Sequence, residues 1–165
     1  MKGIENRFDY KPYRLQQIHR IPDDNTRIIN LVSNDFSNLE IHSQVGLSIT
    51  ALGSRISTLC HRLNLNDRLQ LALFWVRVGK FEIAGLQYKV HLSGYGLLDA
   101  QEKQVLDALV GNMGRTNDQM YSTLGMKQGT MLERLLKINR QIGIGSGASR
   151  VGLAVGYELY LASHN

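Results

Sequence analysis

The stretch Ser37-Asn38-Leu39-Glu40-Ile41-His42-Ser43-Gln44-Val45-Gly46-Leu47-Ser48-Ile49-Thr50-Ala51-Leu52 decides how this chain is read, because its layout returns 79 residues later, from Thr116 to Met131. Ser37 or Asn38 can cap a short helix carrying Leu39, Ile41 and Val45. Gly46 then interrupts, and Ser48 can cap a longer helix whose apolar residues Leu52, Ile56, Leu59 and Leu63 follow a 4-3-4 spacing, one stripe on a helix. In the second copy Thr116 precedes Met120 and Leu124, Gly125 interrupts, and Met131, Leu135, Ile138 and Ile142 repeat the stripe. The same offset pairs Asn38 with Asn117, Val45 with Leu124, Gly46 with Gly125 and Arg55 with Arg134 without a gap. A repeat of this kind means two copies of one small unit.

Working outward, each copy gains a helix on either side. Asp23 or Asp24 can cap a helix bearing Ile28, Ile29, Leu31 and Val32, and its counterpart bears Val105, Leu106, Ala108 and Leu109. Ile28 pairs with Val105 at an offset of 77, so the second copy has two extra residues after its first helix. A fourth helix follows Asp67, with Leu69, Leu71, Ala72, Leu73, Trp75 and Val76, and stops at Gly79, a residue suited to a left-handed cap. Its counterpart runs from about Ala148 towards Ala162. The expected fold is all-α: a basic arm over 1–22, a four-helix unit over 23–78, a short connector over 79–96 that holds Gly79, Gly85, Gly94 and Gly96, and a second four-helix unit over 97–165. Within the connector, Phe81, Ile83, Leu86, Tyr88 and Val90 partly alternate and suit a strand or a short helix equally.

Composition narrows the function classes. Hydrophobic residues make up 43% of the 165, enough for a packed core, and the low aromatic share of 7% with two prolines favours helices. No apolar run is long enough for a membrane span, and residues 1–20 lack the apolar centre of a secretory signal. The single cysteine, Cys60, excludes an internal disulfide and a cysteine-rich zinc site, and it lies beside an apolar stripe as a buried, inert thiol would. These features fit a cytoplasmic protein. His42 and His61 have no metal-ligand spacing, and no nucleophilic triad or paired carboxylates are found. Gly143-Ile144-Gly145-Ser146-Gly147 is glycine-rich but lacks the Lys-Ser/Thr of a phosphate loop. The expectation is therefore no enzyme, no metal and no cofactor. Of the net charge of +5, the arm holds +3 through Lys2, Arg7, Lys11, Arg14 and Arg20 against Glu5 and Asp9. With Tyr10 and Tyr13, it can follow phosphates or enter a minor groove, and it suits a flexible or loosely docked tail as well.

Phe36-Ser37-Asn38-Leu39-Glu40-Ile41, Val45-Gly46-Leu47-Ser48, Ala51-Leu52 and Leu63-Asn64-Leu65 together resemble the LuxR/GerE-type DNA-binding domain. So do Thr116-Asn117, Leu124-Gly125-Met126, Thr130-Met131 and Ile142-Gly143-Ile144, preceded by Gln101-Glu102-Lys103-Gln104-Val105-Leu106. The resemblance spans roughly 21–78 and 97–160. It implies a tandem helix-turn-helix regulator of transcription whose third helix in each unit enters the major groove of double-stranded DNA. By position, the implied DNA-binding residues are Thr50, Gly53, Ser54, Arg55 and Arg62, with Thr58, in the first unit. In the second they are Lys127, Gln128, Thr130, Arg134 and Lys137, with Glu133. Arg55 and Arg134 suit either a DNA contact or a solvated helix face. The family's Lys after the Thr-Val pair is Gly53 here and Leu132 in the second copy. A mid-helix glycine costs about 1 kcal/mol relative to alanine, so Gly53 asks for a close approach by DNA or another helix.

Leu132 points equally to a protein contact. The alternative reading is thus a helix-turn-helix-shaped module that contacts RNA polymerase or a sigma factor. The resemblance also implies dimerisation through the fourth helices, either as an internal pair or between two chains as a homodimer. With about twenty residues before the first unit, no receiver or effector module is expected.

Overall fold

A computed structural model of the chain describes residues 18, 20–111 and 116–165. Among them, eight α-helices follow one another: α1 Asp23–Ser33, α2 Asn38–Val45, α3 Ile49–Arg62, α4 Arg68–Arg77, α5 Ala100–Gly111, α6 Asn117–Leu124, α7 Gln128–Ile142 and α8 Arg150–His164. Three-ten turns at Leu86–Tyr88 and Leu92–Leu97 lie between α4 and α5. The only pairing of extended backbone among the described residues is an isolated bridge between Val90 and Gly143. The basic arm's Lys2, Arg7, Tyr10, Lys11, Tyr13 and Arg14 lie outside the described residues.

Local chemistry sets the helix ends. Ser37 accepts a hydrogen bond from the Glu40 N–H while the Glu40 carboxylate accepts one from the Ser37 N–H, and Thr116 and Gln119 repeat this reciprocal cap before α6. Glu40 is held below the usual carboxylate range, chiefly by that Ser37 N–H. Gly46 and Gly125 end α2 and α6 at φ 72° and 62°, a left-handed conformation that glycine enters without a side-chain penalty. Ser48 then caps α3 through the Ala51 N–H, and Asp67 caps α4 through the Gln70 N–H. One start differs from expectation. Pro22 holds the cap position of α1 and supplies no side-chain acceptor; Asp23 and Asp24 fall inside the first turn, where they meet the positive end of the helix dipole. Lys127 precedes α7, and an ammonium can only donate, so that helix has no side-chain cap.

The predicted stripes are buried on both long helices: Leu52, Ile56, Leu59 and Leu63 on one side, Met131, Leu135, Ile138 and Ile142 on the other. α4 and α8 pack on each other within the chain, and Leu69–Trp75 and Val151–Tyr157 are buried. All buried apolar residues form one continuous core.

Specific ties join the two halves. Arg77 pairs with Glu158 at 3.0 Å, with side-chain exposures of 1% and 11%. The carboxylate of Asp35, a residue at φ 65°, accepts from the Ser149 N–H at 2.8 Å and from its hydroxyl, so it seats the first turn of α8. Gly152 leaves room for that carboxylate: a Cβ there would sit 2.6 Å from Asp35 Oδ2.

The segment between the halves forms no strand; of the two forms its alternation suited it takes the short helix, as a three-ten turn at Leu86–Tyr88 followed by a second at Leu92–Leu97. It is pinned from both sides. Asn30 exchanges hydrogen bonds with the Glu82 backbone, and Asn34 Oδ1 accepts from Ala84 N at 2.7 Å. Further on, His91 N donates to Ile142 O at 2.8 Å and Ile144 N to Lys89 O at 2.9 Å. Leu86, Val90, Tyr95 and Leu98 are buried. The Tyr95 hydroxyl donates to Leu153 O at 2.7 Å, and burial pushes that phenol far above its usual range.

Candidate nucleic-acid interface

Residues on an α-helix advance by about 100° each. With Leu52 and Met131 facing inward, the outermost positions of α3 are Thr50, Ser54, Thr58 and His61, and those of α7 are Gly129, Glu133, Lys137 and Arg140. All eight are exposed. Each crest follows a left-handed glycine turn, so a continuous helix face stands clear of the helix before it.

The residues named from sequence divide into two groups. Thr50, Ser54 and Arg62 on α3, and Gln128, Thr130 and Lys127 at the start of α7, are exposed and available. Arg55, Arg134 and Lys137 turn towards the first helix of their own half. Arg55 is half-buried and lines a groove with Pro22, Asp24 and Asn25 of the α1 start. Arg134 donates to Gln101 Oε1 at 2.8 Å. Lys137 pairs with Glu102 at 2.8 Å and Asp99 at 3.4 Å. The two carboxylates hold the Lys137 ammonium above its ordinary range, Glu102 more than Asp99. Asp99 lies below its usual range, mainly through the Glu102 N–H and then through Lys137. Gly53 has open space where a Cβ would stand, so no neighbouring helix requires it.

Other residues that set the geometry stand outside that list. Arg68, at the start of α4, donates to Asn38 Oδ1 and to the Phe36 carbonyl. Arg150, at the start of α8, donates to Asn117 Oδ1 at 3.1 Å. In both halves, then, the fourth helix reaches back and fixes the start of the second. The signal was present as Asp67-Arg68 and Ser149-Arg150, a cap followed by arginine. Cys60 and Asn139, another matched pair, tie down the loop after the third helix: Cys60 Sγ lies 3.5 Å from Asp67 O, while Asn139 bonds both the N–H and the carbonyl of Ala148. That explains the glycine-rich loop, since a Cβ at Gly147 would meet the Asn139 amide. His61 and Arg140 also occupy crest positions, and helical spacing from the buried stripes would have found them.

No helix among the described residues is long and apolar enough to cross a membrane. Comparison of the chain with protein-family models, with curated proteins and with solved structures finds no match.

Proposed function

We propose that this chain is a sequence-specific DNA-binding regulator of transcription built from two tandem LuxR-like helix-turn-helix units, 23–78 and 97–165. The observation that carries this reading is the repeated capped helix, left-handed glycine and exposed following helix, at α2–Gly46–α3 and at α6–Gly125–α7. Thr50, Ser54, Thr58 and Arg62 supply small donors and one cation on α3. Gln128 and Thr130 supply donors at the start of α7, and Lys127 just before it and Arg140 near its end supply two cations. Residues near each helix start meet base edges, and the cations meet phosphates. Gly53 lets the α3 backbone come close to the duplex at a cost in helix stability that internal packing does not explain.

The two units share a core, so they present two readers at a fixed separation, and binding of one raises the effective concentration of the other. The test is a series of duplexes carrying two selected half-sites with increasing spacer length. Binding confined to one spacing, or to that spacing plus whole helical turns, is expected. Equal binding at all spacings would overturn the two-reader mechanism.

A second reading, a helix-turn-helix-shaped module that contacts RNA polymerase or a sigma factor, is favoured by one observation. Leu132 and Leu136 on α7 are exposed, at 58% and 47%, and nucleic acid offers leucine little.

A further inference from the structure

Glu133 is the one acid on either of the two exposed helices, α3 and α7. It is exposed, and its place on the helix is the outermost one. With Met131, Leu135, Ile138 and Ile142 buried, the direction opposite that stripe passes within about 10° of Glu133 at about 100° per residue. Its usual partner is taken. Lys137, four residues on, would form the common glutamate–lysine pair of a helix surface. Instead the Lys137 ammonium lies 2.8 Å from Glu102 and 3.4 Å from Asp99. The Glu133 carboxylate therefore has no ion pair among the described residues. One turn earlier on the same crest, Gly129 has open space where a Cβ would stand, so no side chain shields the carboxylate on that side.

An unpaired carboxylate at the centre of a helix that enters a major groove is repelled by the phosphates on either side. Only an N–H donor on a base edge offsets that repulsion. The major groove offers two such donors, cytosine N4 and adenine N6. Adenine sets its N7 acceptor on the same edge, which repels a carboxylate, whereas cytosine presents its amino group alone. Lys127 and Arg140, at the two ends of α7, are placed to meet phosphates while the middle of the helix meets bases.

We infer that Glu133 reads a cytosine in the major groove by accepting a hydrogen bond from its N4 amino group, and so sets the specificity of the half-site under α7. The inference rests on the DNA-binding reading above and adds that the two half-sites differ. Ser54 stands where Glu133 does in the first half, and Thr58 where Lys137 does. A hydroxyl both donates and accepts, so it suits several bases and makes no such demand. The chain thus reads an operator whose halves are unequal, with the stricter requirement under α7.

The test uses the full chain, first in selection from a randomised duplex pool and then in titration of the selected duplex with each base pair placed in turn at every position of the motif. The parent is expected to require cytosine at one position and to bind duplexes with another base there about tenfold less tightly. Glu133→Gln, whose amide donates to adenine N7 and accepts from N6, is expected to move that one preference to adenine. Glu133→Ala is expected to lose it, with the other positions unchanged in both variants. The side chain is exposed, so both variants should fold as the parent does, checked by far-ultraviolet dichroism. If both variants bind every duplex more tightly by the same factor and select the parent's motif, Glu133 is a solvated charge that only repels phosphates, and the inference is overturned. A Glu133-dependent position at which the parent prefers a base other than cytosine overturns it too. A parent motif that no substitution at 133 alters sinks the inference alone, whereas a parent that enriches no motif sinks the DNA-binding reading along with it.

Discussion

Arg77 Nε donates to Glu158 Oε1 at 3.0 Å, joining α4 to α8 where neither side chain has much access to water. The guanidinium also reaches the Val110 carbonyl, at the end of α5. A buried charge that loses its partner keeps its desolvation penalty. Glu158→Ala should therefore destabilise the chain by about 3–5 kcal/mol in urea unfolding. Because the two halves share one core, the parent should unfold in a single transition seen equally by far-ultraviolet dichroism and by fluorescence of Trp75, the one tryptophan. Two separate transitions would show that the halves are independent.

Gly53→Ala separates stability from function. The site has room for a methyl group and its backbone is not left-handed. The substitution should stabilise the chain by up to about 1 kcal/mol. If Gly53 admits DNA, specific DNA affinity should fall at the same time. A gain in stability with unchanged affinity would leave this glycine without a role.

Gly156→Ala should do the reverse. A Cβ at this position would collide with the Tyr95 phenol, whose hydroxyl is held on Leu153 O. Overpacking of this kind costs about 1–3 kcal/mol, measurable as a lowered urea midpoint. Tyr95→Phe in the same background should recover part of the loss, because it removes the hydroxyl that collides.

Cys60 reports on folding. Burial, followed by the Asp67 charge, pushes its thiol from 9.0 up to about 11. The raised value favours the neutral thiol in the folded chain. Its contribution to stability is present below pH 9 and is lost as pH rises from about 9 to about 11, where the unfolded chain ionises first. At pH 8 a disulfide reagent should react with the native chain only as fast as it opens, and rapidly once urea unfolds it.

How far the sequence could be read depended on the range of the interactions involved. The helices, their caps at Ser37, Ser48, Asp67 and Thr116, and the glycine turns at 46 and 125 rest on contacts within a few residues. So do the buried stripes, because their spacing matches the helical repeat. The linking segment was illegible because Asn30 and Asn34 hold it from 50 or so residues away, and a side-chain amide that bonds a distant backbone leaves no periodic trace. Asp35 and Ser149 meet across an even longer separation. In the candidate interface, Thr50, Ser54 and Thr130, which the family resemblance singled out, are exposed, as helical spacing from the buried stripes requires. Arg134 and Lys137 could be assigned to a helix face but not to a partner, since Gln101, Asp99 and Glu102 compete for them from α5 and its cap.

Whether the two exposed helices read DNA is decided by selection from a random duplex pool with the full chain, followed by affinity measurements at several salt concentrations. Enrichment of a motif with two half-sites is expected, with a steep, linear fall of log affinity with log salt, as cations release counterions from phosphates. Recovery of an unenriched pool, with weak binding to every duplex, would contradict it.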